Sequence, residues 1–202
     1  MKKNYPIATI ILIAMNILVF IVSAITGDLL YNKGAFDSIL FAQHREWHRM
    51  FTAMFLHADL MHLTGNMILL YLAGDLIERY CGMWRYFALY ILCGMMGNFF
   101  SGMIDMACHR MTSSVGASGA IFGLVGALLF LVIAARDSYR EITLGRLLFM
   151  IVYLLYSGFT TESVNNEAHI GGLIAGIGIM AIMCRKLIIK KFLERERDTN
   201  EN

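Results

Sequence analysis

Apolar residues run along this chain in long blocks, broken by short clusters of charge, glycine and histidine. Windows at 7–26, about 58–78, 85–104, 116–135, 146–160 and 168–189 each approach the roughly 20 apolar residues that a helix needs to cross hydrocarbon. The fifth is the shortest. A single proline, Pro6, leaves every block free to be helical, and no run of alternating ten-residue segments suggests an outer-membrane barrel. The pattern predicts an all-α polytopic membrane protein with six transmembrane helices. The Met-Lys-Lys start followed by an apolar run could be a secretory signal, but it is span length without a clear small-x-small cleavage site, and is read as the first helix.

The connection from 27 to 57 is unlike the others. It carries Tyr31, Phe36, Phe41, Trp47 and three histidines, too aromatic for a solvated linker, and is expected at the outer interface, half buried. The remaining connections are short and no internal repeat is visible. Residues 1–193 read as one six-helix membrane domain, and 194–202 as a polar cytoplasmic tail.

Charge sets the expected orientation. Lys2, Lys3, Arg79, Arg85, Arg136, Arg140, Arg146, Arg185, Lys186, Lys190, Lys191, Arg195 and Arg197 fall on the side of the termini, thirteen of the 17 basic residues. Lys33, Arg45, Arg49 and Arg110 fall opposite, so positive charge predicts cytoplasmic termini. Composition agrees with a membrane protein, at 58% hydrophobic and 16% charged, against roughly 25% charged in soluble domains. Scattered basic residues and a net charge of +2 argue against nucleic acid as a partner. The cysteines Cys81, Cys93, Cys108 and Cys184 form no Cys-x-x-Cys pair and read as packing residues.

A polar group in hydrocarbon costs several kcal/mol unless paired, so each polar residue within a span is a functional candidate. The second span contains His57-Ala-Asp-Leu-Met-His62-Leu-Thr-Gly-Asn66, whose i, i+4 spacing puts His62 and Asn66 on one face. The fourth opens Gly116-Ala117-Ser118-Gly119, with Gly119, Gly123 and Gly126 forming a smooth stripe that admits a neighbouring helix. The sixth opens Ala168-His169, with His169, Gly172 and Gly176 sharing a face. With the even-numbered spans running inward, Ser118 and His169 lie in first turns and His62 and Asn66 roughly 6–12 Å in from the start of theirs, so all four belong to the outer third of the membrane. Taken singly, Ser118 could be a helix-packing serine, and His62, Asn66 and His169 interhelical hydrogen-bonding groups or a proton relay. Together they supply nucleophile, general base and oxyanion donors for acyl transfer.

At these residues the chain resembles the rhomboid intramembrane serine proteases, whose pattern is His-x-x-x-Asn, then Gly-x-Ser-Gly, then Ala-His-x-x-Gly-x-x-x-Gly on the second, fourth and sixth core helices. Here these stand as His62 to Asn66, Gly116 to Gly119, and Ala168-His169 through Gly172 to Gly176, over about residues 40–185. The resemblance implies a rhomboid-type bundle with a partly buried outer loop between helices 1 and 2. It also implies a Ser118–His169 catalytic dyad without aspartate, and an oxyanion hole of the Ser118 N–H with the Asn66 and His62 side chains. No cofactor and no metal are expected. The implied partners are the lipid bilayer and single-span protein substrates, cut near the outer end of their span; the oligomeric state stays open. Two departures stand out: the family's Trp-Arg pair is matched by Glu46-Trp47-His48-Arg49, with the tryptophan displaced by one, and the position four residues after the nucleophile, where some members carry a stacking tyrosine, holds Phe122. The six-span form fits a bacterial plasma membrane. The short fifth span, with Ser157 and Gly158 at its outer end, is the candidate gate.

Three other readings compete. A catalytically silent rhomboid-like client-binding protein would lack the serine or the histidine, and both are present. A metalloprotease using His57, His62, His169 and Asp59 lacks His-Glu-x-x-His, and the five-residue spacing of His57 and His62 aligns them poorly on a helix. A transporter would show a broken-helix pair or inverted repeat, and none is visible.

Overall fold

The computed structural model describes residues 5–134, 147–148, 151–152 and 165–185. Pro6 precedes the first helix, Ile7–Thr26 (α1), which ends where Gly27 takes φ +62°. A compact connecting segment follows: Asp28–Gly34 (α2), Phe36–Asp37 (β1), Ser38–Gln43 (α3), Arg49–Thr52 (α4) and a 3-10 turn at Ala53–Phe55. The long helices are Leu60–Cys81 (α5), Met83–Ala107 (α6), Ser118–Ala134 (α7) and Asn166–Met183 (α8), with Ser113–Ser114 (β2) before α7. By length and composition α1, α5, α6 and α8 can each cross a membrane, and the apolar α7 has 17 residues, the lower end of span length.

Local chemistry sets these boundaries. The Asp59 carboxylate accepts from the His62 N–H at 2.8 Å and starts α5; Asn165 accepts from the Ala168 N–H at 2.9 Å and starts α8. Gly82, at φ +81°, separates α5 from α6. The predicted fourth span began at 116, but Gly116 has φ +128°, outside helical space, so the helix starts at Ser118. α6 runs beyond the predicted 104 to Ala107.

α7 lies at the centre, with twelve of its 17 residues buried, against α5, α6 and α8. α8 also packs along α6, whereas α1 leans chiefly on α5. The α7–α8 contact is made by the predicted glycines: a Cβ at Gly172 would fall on the Gly119 carbonyl, and one at Gly176 on the Gly123 carbonyl. Without side chains between them, the two backbones touch. α1 is fixed differently. Its first amides, on Ala8 and Thr9, each donate to the buried Glu78 carboxylate of α5 at 2.8 Å, and the Thr9 hydroxyl adds a third bond at 2.9 Å. That carboxylate caps a neighbouring helix and faces the positive end of its dipole.

In the segment between α1 and α5, β1 pairs antiparallel with β2, Phe36 opposite Ser114, which ties it to the approach to α7. Arg49 is buried and organises the segment, donating to Glu46 at 2.6 Å and to the carbonyls of Ala35 and Asn32 at 2.9 Å. Trp47 is 59% exposed, so the displaced tryptophan takes no part in that packing. Of the predicted fifth span, Leu147 and Ile151 are buried and Leu148 and Val152 exposed; Ser157, Gly158 and the tail 194–202 lie outside the described residues.

Candidate active site

Ser118 is the first residue of α7 and His169 the fourth of α8. The glycine contact between these helices brings the two side chains together: His169 Nε2 lies 2.9 Å from Ser118 Oγ. The His169 ring is also stacked on Phe122, one turn below Ser118, with centroids 4.3 Å apart and planes 9° from parallel. Its other nitrogen, Nδ1, is buried without a hydrogen-bond partner among the described residues. Among the described residues no carboxylate bonds to the imidazole from behind; the ring face of Phe122 orients it.

His62 and Asn66 arrive from α5. A Cβ at Gly116 would lie 2.9 Å from His62 Nε2 and 3.5 Å from Asn66 Nδ2, so both side chains stand over the bare Cα two residues before Ser118. Any side chain at 116 would displace the imidazole. Asn66 Nδ2 is buried and donates to no described residue, which leaves an amide donor unused beside the hydroxyl. All four predicted residues therefore meet at one end of the bundle. The arrangement sets a hydroxyl against an imidazole and, near them, a buried amide donor without an acceptor among the described residues, groups of the kind that acyl transfer requires.

The histidine at 57 was considered at the sequence level only as a metal ligand. It is 2% exposed, just ahead of α5, its ring 5.2 Å from that of His62 in an edge-on arrangement. Burial, and secondarily the His62 imidazole, push its pKa down to about 4; the Phe55 backbone, outside ordinary hydrogen-bond geometry, opposes this in part. It is a neutral imidazole backing His62. Among the described residues no three His, Cys, Asp or Glu side chains converge as metal ligands would.

A polar frame around the dyad is not visible in the motifs. The Asn165 amide donates to the hydroxyls of Ser101 on α6 at 2.8 Å and Ser114 on β2 at 2.9 Å while its carbonyl caps α8. The spacing of Asn165 to the first turn of α8 signals a cap, but nothing in the sequence names its two distant partners.

Comparison with known proteins meets this geometry from another side. The family profile for the Rhomboid domain matches residues 44–186. The chain is 34% identical over 180 residues to Rhomboid protease GluP of Bacillus subtilis (strain 168), covering 87% of this chain and 34% of that protein. It is 38% identical over 145 residues to RHOMBOID-like protein 5 of Arabidopsis thaliana, covering 71% and 46%, and 36% identical over 150 residues to RHOMBOID-like protein 1 of the same plant, covering 73% and 37%. The chain thus spans about a third to a half of the length of these curated relatives.

Proposed function

Because the chain belongs to the rhomboid family of membrane proteins, we propose that it is an intramembrane serine endopeptidase that cuts single-span membrane proteins near the outer end of their transmembrane segment. The observation that carries this reading is the 2.9 Å contact between Ser118 Oγ and His169 Nε2. A serine hydroxyl alone is a poor nucleophile. His169 takes its proton as Ser118 attacks the scissile carbonyl, and returns a proton to the leaving amine. The carbonyl oxygen becomes an oxyanion, stabilised by the Ser118 N–H and the Asn66 and His62 side chains. The amine leaves with the downstream fragment, and the acyl group stays on Ser118. A water then attacks this ester, again giving its proton to His169, and releases the upstream fragment as a carboxylate.

The reading includes a membrane side. With thirteen of 17 basic residues toward the termini, both termini are cytoplasmic, and the dyad opens to the outer face, where water for deacylation is available. The six-helix domain covers 1–193, and the bacterial plasma membrane is its setting. Opening of the short fifth span, with Ser157 and Gly158, remains the proposed route for substrate; crosslinking it to α5 should then stop cleavage.

The test is cleavage of single-span reporter proteins by the purified chain in liposomes, with Ser118→Ala and His169→Ala as controls of checked fold. Product from the parent, abolished in both variants, supports the dyad. Product persisting in either variant overturns the mechanism, and a parent that binds reporters without cutting them favours a silent client-binding protein.

A further inference from the structure

One cation at the Ser118 end of the bundle is left unused by this chemistry. The segment that joins α6 to α7 opens with a turn in which the Arg110 N–H reaches the Asp105 carbonyl at 2.9 Å and the His109 N–H the Met106 carbonyl at 3.4 Å. His109 sits at φ +52°, the left-handed residue that this kind of helix ending requires. The turn sends the Arg110 side chain back over the end of α6 and across to α8. Its Nη2 lies 2.6 Å from Glu167 Oε1 and 3.3 Å from Asp105 Oδ1.

The two carboxylates belong to different elements. Asp105, on the last turns of α6, is 1% exposed and also accepts from the Thr112 hydroxyl; a carboxylate so buried needs a cation or several donors. Glu167 is in the first turn of α8, two residues before His169. One guanidinium therefore joins the end of α6, the segment leading to Ser118, and the turn that carries the base. The imidazole itself has no partner at Nδ1 among the described residues and is positioned by stacking on Phe122, so its placement depends on the first turn of α8, which the Asn165 cap holds from one side and Glu167 from another. Any drift of that first turn carries the imidazole with it.

We propose that Arg110 is a positioning residue for the reaction assigned above: by bridging Asp105 and Glu167 it holds the first turn of α8 so that His169 stays on the Ser118 hydroxyl. The role rests on the Ser118–His169 reading. It acts through backbone placement and touches neither substrate nor the reacting atoms. Arg110 is 44% exposed, so its pair with Glu167 adds little to global stability, while its loss also leaves the buried Asp105 without that cation; counting labelled sites separates any loss of folded protein from the effect on turnover.

The experiment measures kcat and KM for reporter cleavage in liposomes, normalised to active sites counted with a fluorophosphonate that labels reactive serines. The variants are Arg110→Gln, Arg110→Lys and Glu167→Gln. Arg110→Gln and Glu167→Gln should each lower kcat by about tenfold to a hundredfold, the cost of a misplaced catalytic group, with KM within about twofold. Arg110→Lys should keep an intermediate kcat. A purely structural role would lower the number of labelled sites without changing kcat per site, and would overturn the proposal. So would an Arg110→Lys variant with a kcat no better than that of Arg110→Gln. A parent that neither cleaves nor takes the label removes the dyad itself; a parent that does both, with indifferent Arg110 variants, removes only this role.

Discussion

At Gly116 two constraints coincide, a φ of +128° and the His62 imidazole standing 2.9 Å from where a Cβ would be. Gly116→Ala should therefore abolish most turnover while the helices stay folded, read by cleavage rate beside the helical circular-dichroism signal. Asn66→Ala should cost about 2.7–4 kcal/mol of transition-state stabilisation, as lost oxyanion donors do elsewhere, and near-normal cleavage would remove it from the oxyanion hole. His57 makes a prediction about pH. Its pKa is lowered in the folded chain from the usual 6.5 to about 4, so the unfolded chain binds the extra proton first. The part of the stability that rests on His57 is full above pH 6.5 and is lost as pH drops toward 4, at most about 3 kcal/mol; melting in detergent across that window should show a fall that is shallower in His57→Gln. Single residues were legible where a motif carries them, as with Ser118, His169, His62 and Asn66. Arg110, Asp105 and Glu167 were not, because charges near the ends of helices read as solvated until folding sets them side by side. The sign of φ at Gly116 is equally silent in sequence, although the residue sits inside the motif.

Between elements, the contact of α7 with α8 decides where the dyad forms. Gly172→Ala places a methyl on the Gly119 carbonyl and should destabilise by about 1–3 kcal/mol, the usual cost of overpacking, while also reducing turnover. Gly178→Ala meets nothing within 4 Å and should be neutral or slightly stabilising; equal behaviour of the two variants in thermal melts would contradict the packing argument. Glu78→Gln leaves the α1 amides a weaker acceptor and should cost about 1–3 kcal/mol in the same assay. The glycine stripes were readable because periodic small residues have few other uses in a span. Helix ends were readable only to within a turn, since the cap Asn165 lies upstream of its apolar window, Asp59 lies inside its own, and hydropathy registers neither as a cap. The clamp of α1 by Glu78 joins residues 70 apart, and no local pattern reports it.

For the whole molecule, the cysteines offer a test of orientation. Cys108 is exposed at the Ser118 end, Cys93 and Cys184 are buried, and Cys81 lies half-buried at the opposite end. A membrane-impermeant maleimide added to intact cells should label Cys108 and no other cysteine, and a Cys108→Ser variant should lose the signal. Labelling of Cys81 in intact cells, with Cys108 protected, would invert the proposed topology. The direction of the chain through the membrane was a reading of charge alone, and the packing of helices cannot distinguish one side from the other. The Glu78 clamp has a consequence for how such a chain is made. The first helix leaves the ribosome some seventy residues ahead of the carboxylate that caps it, so α1 enters the bilayer with its leading amides unmatched and completes its docking only after α5 has followed. Nascent chains arrested before Glu78 has emerged should therefore leave the start of α1 open to protease, and chains arrested well beyond it should not.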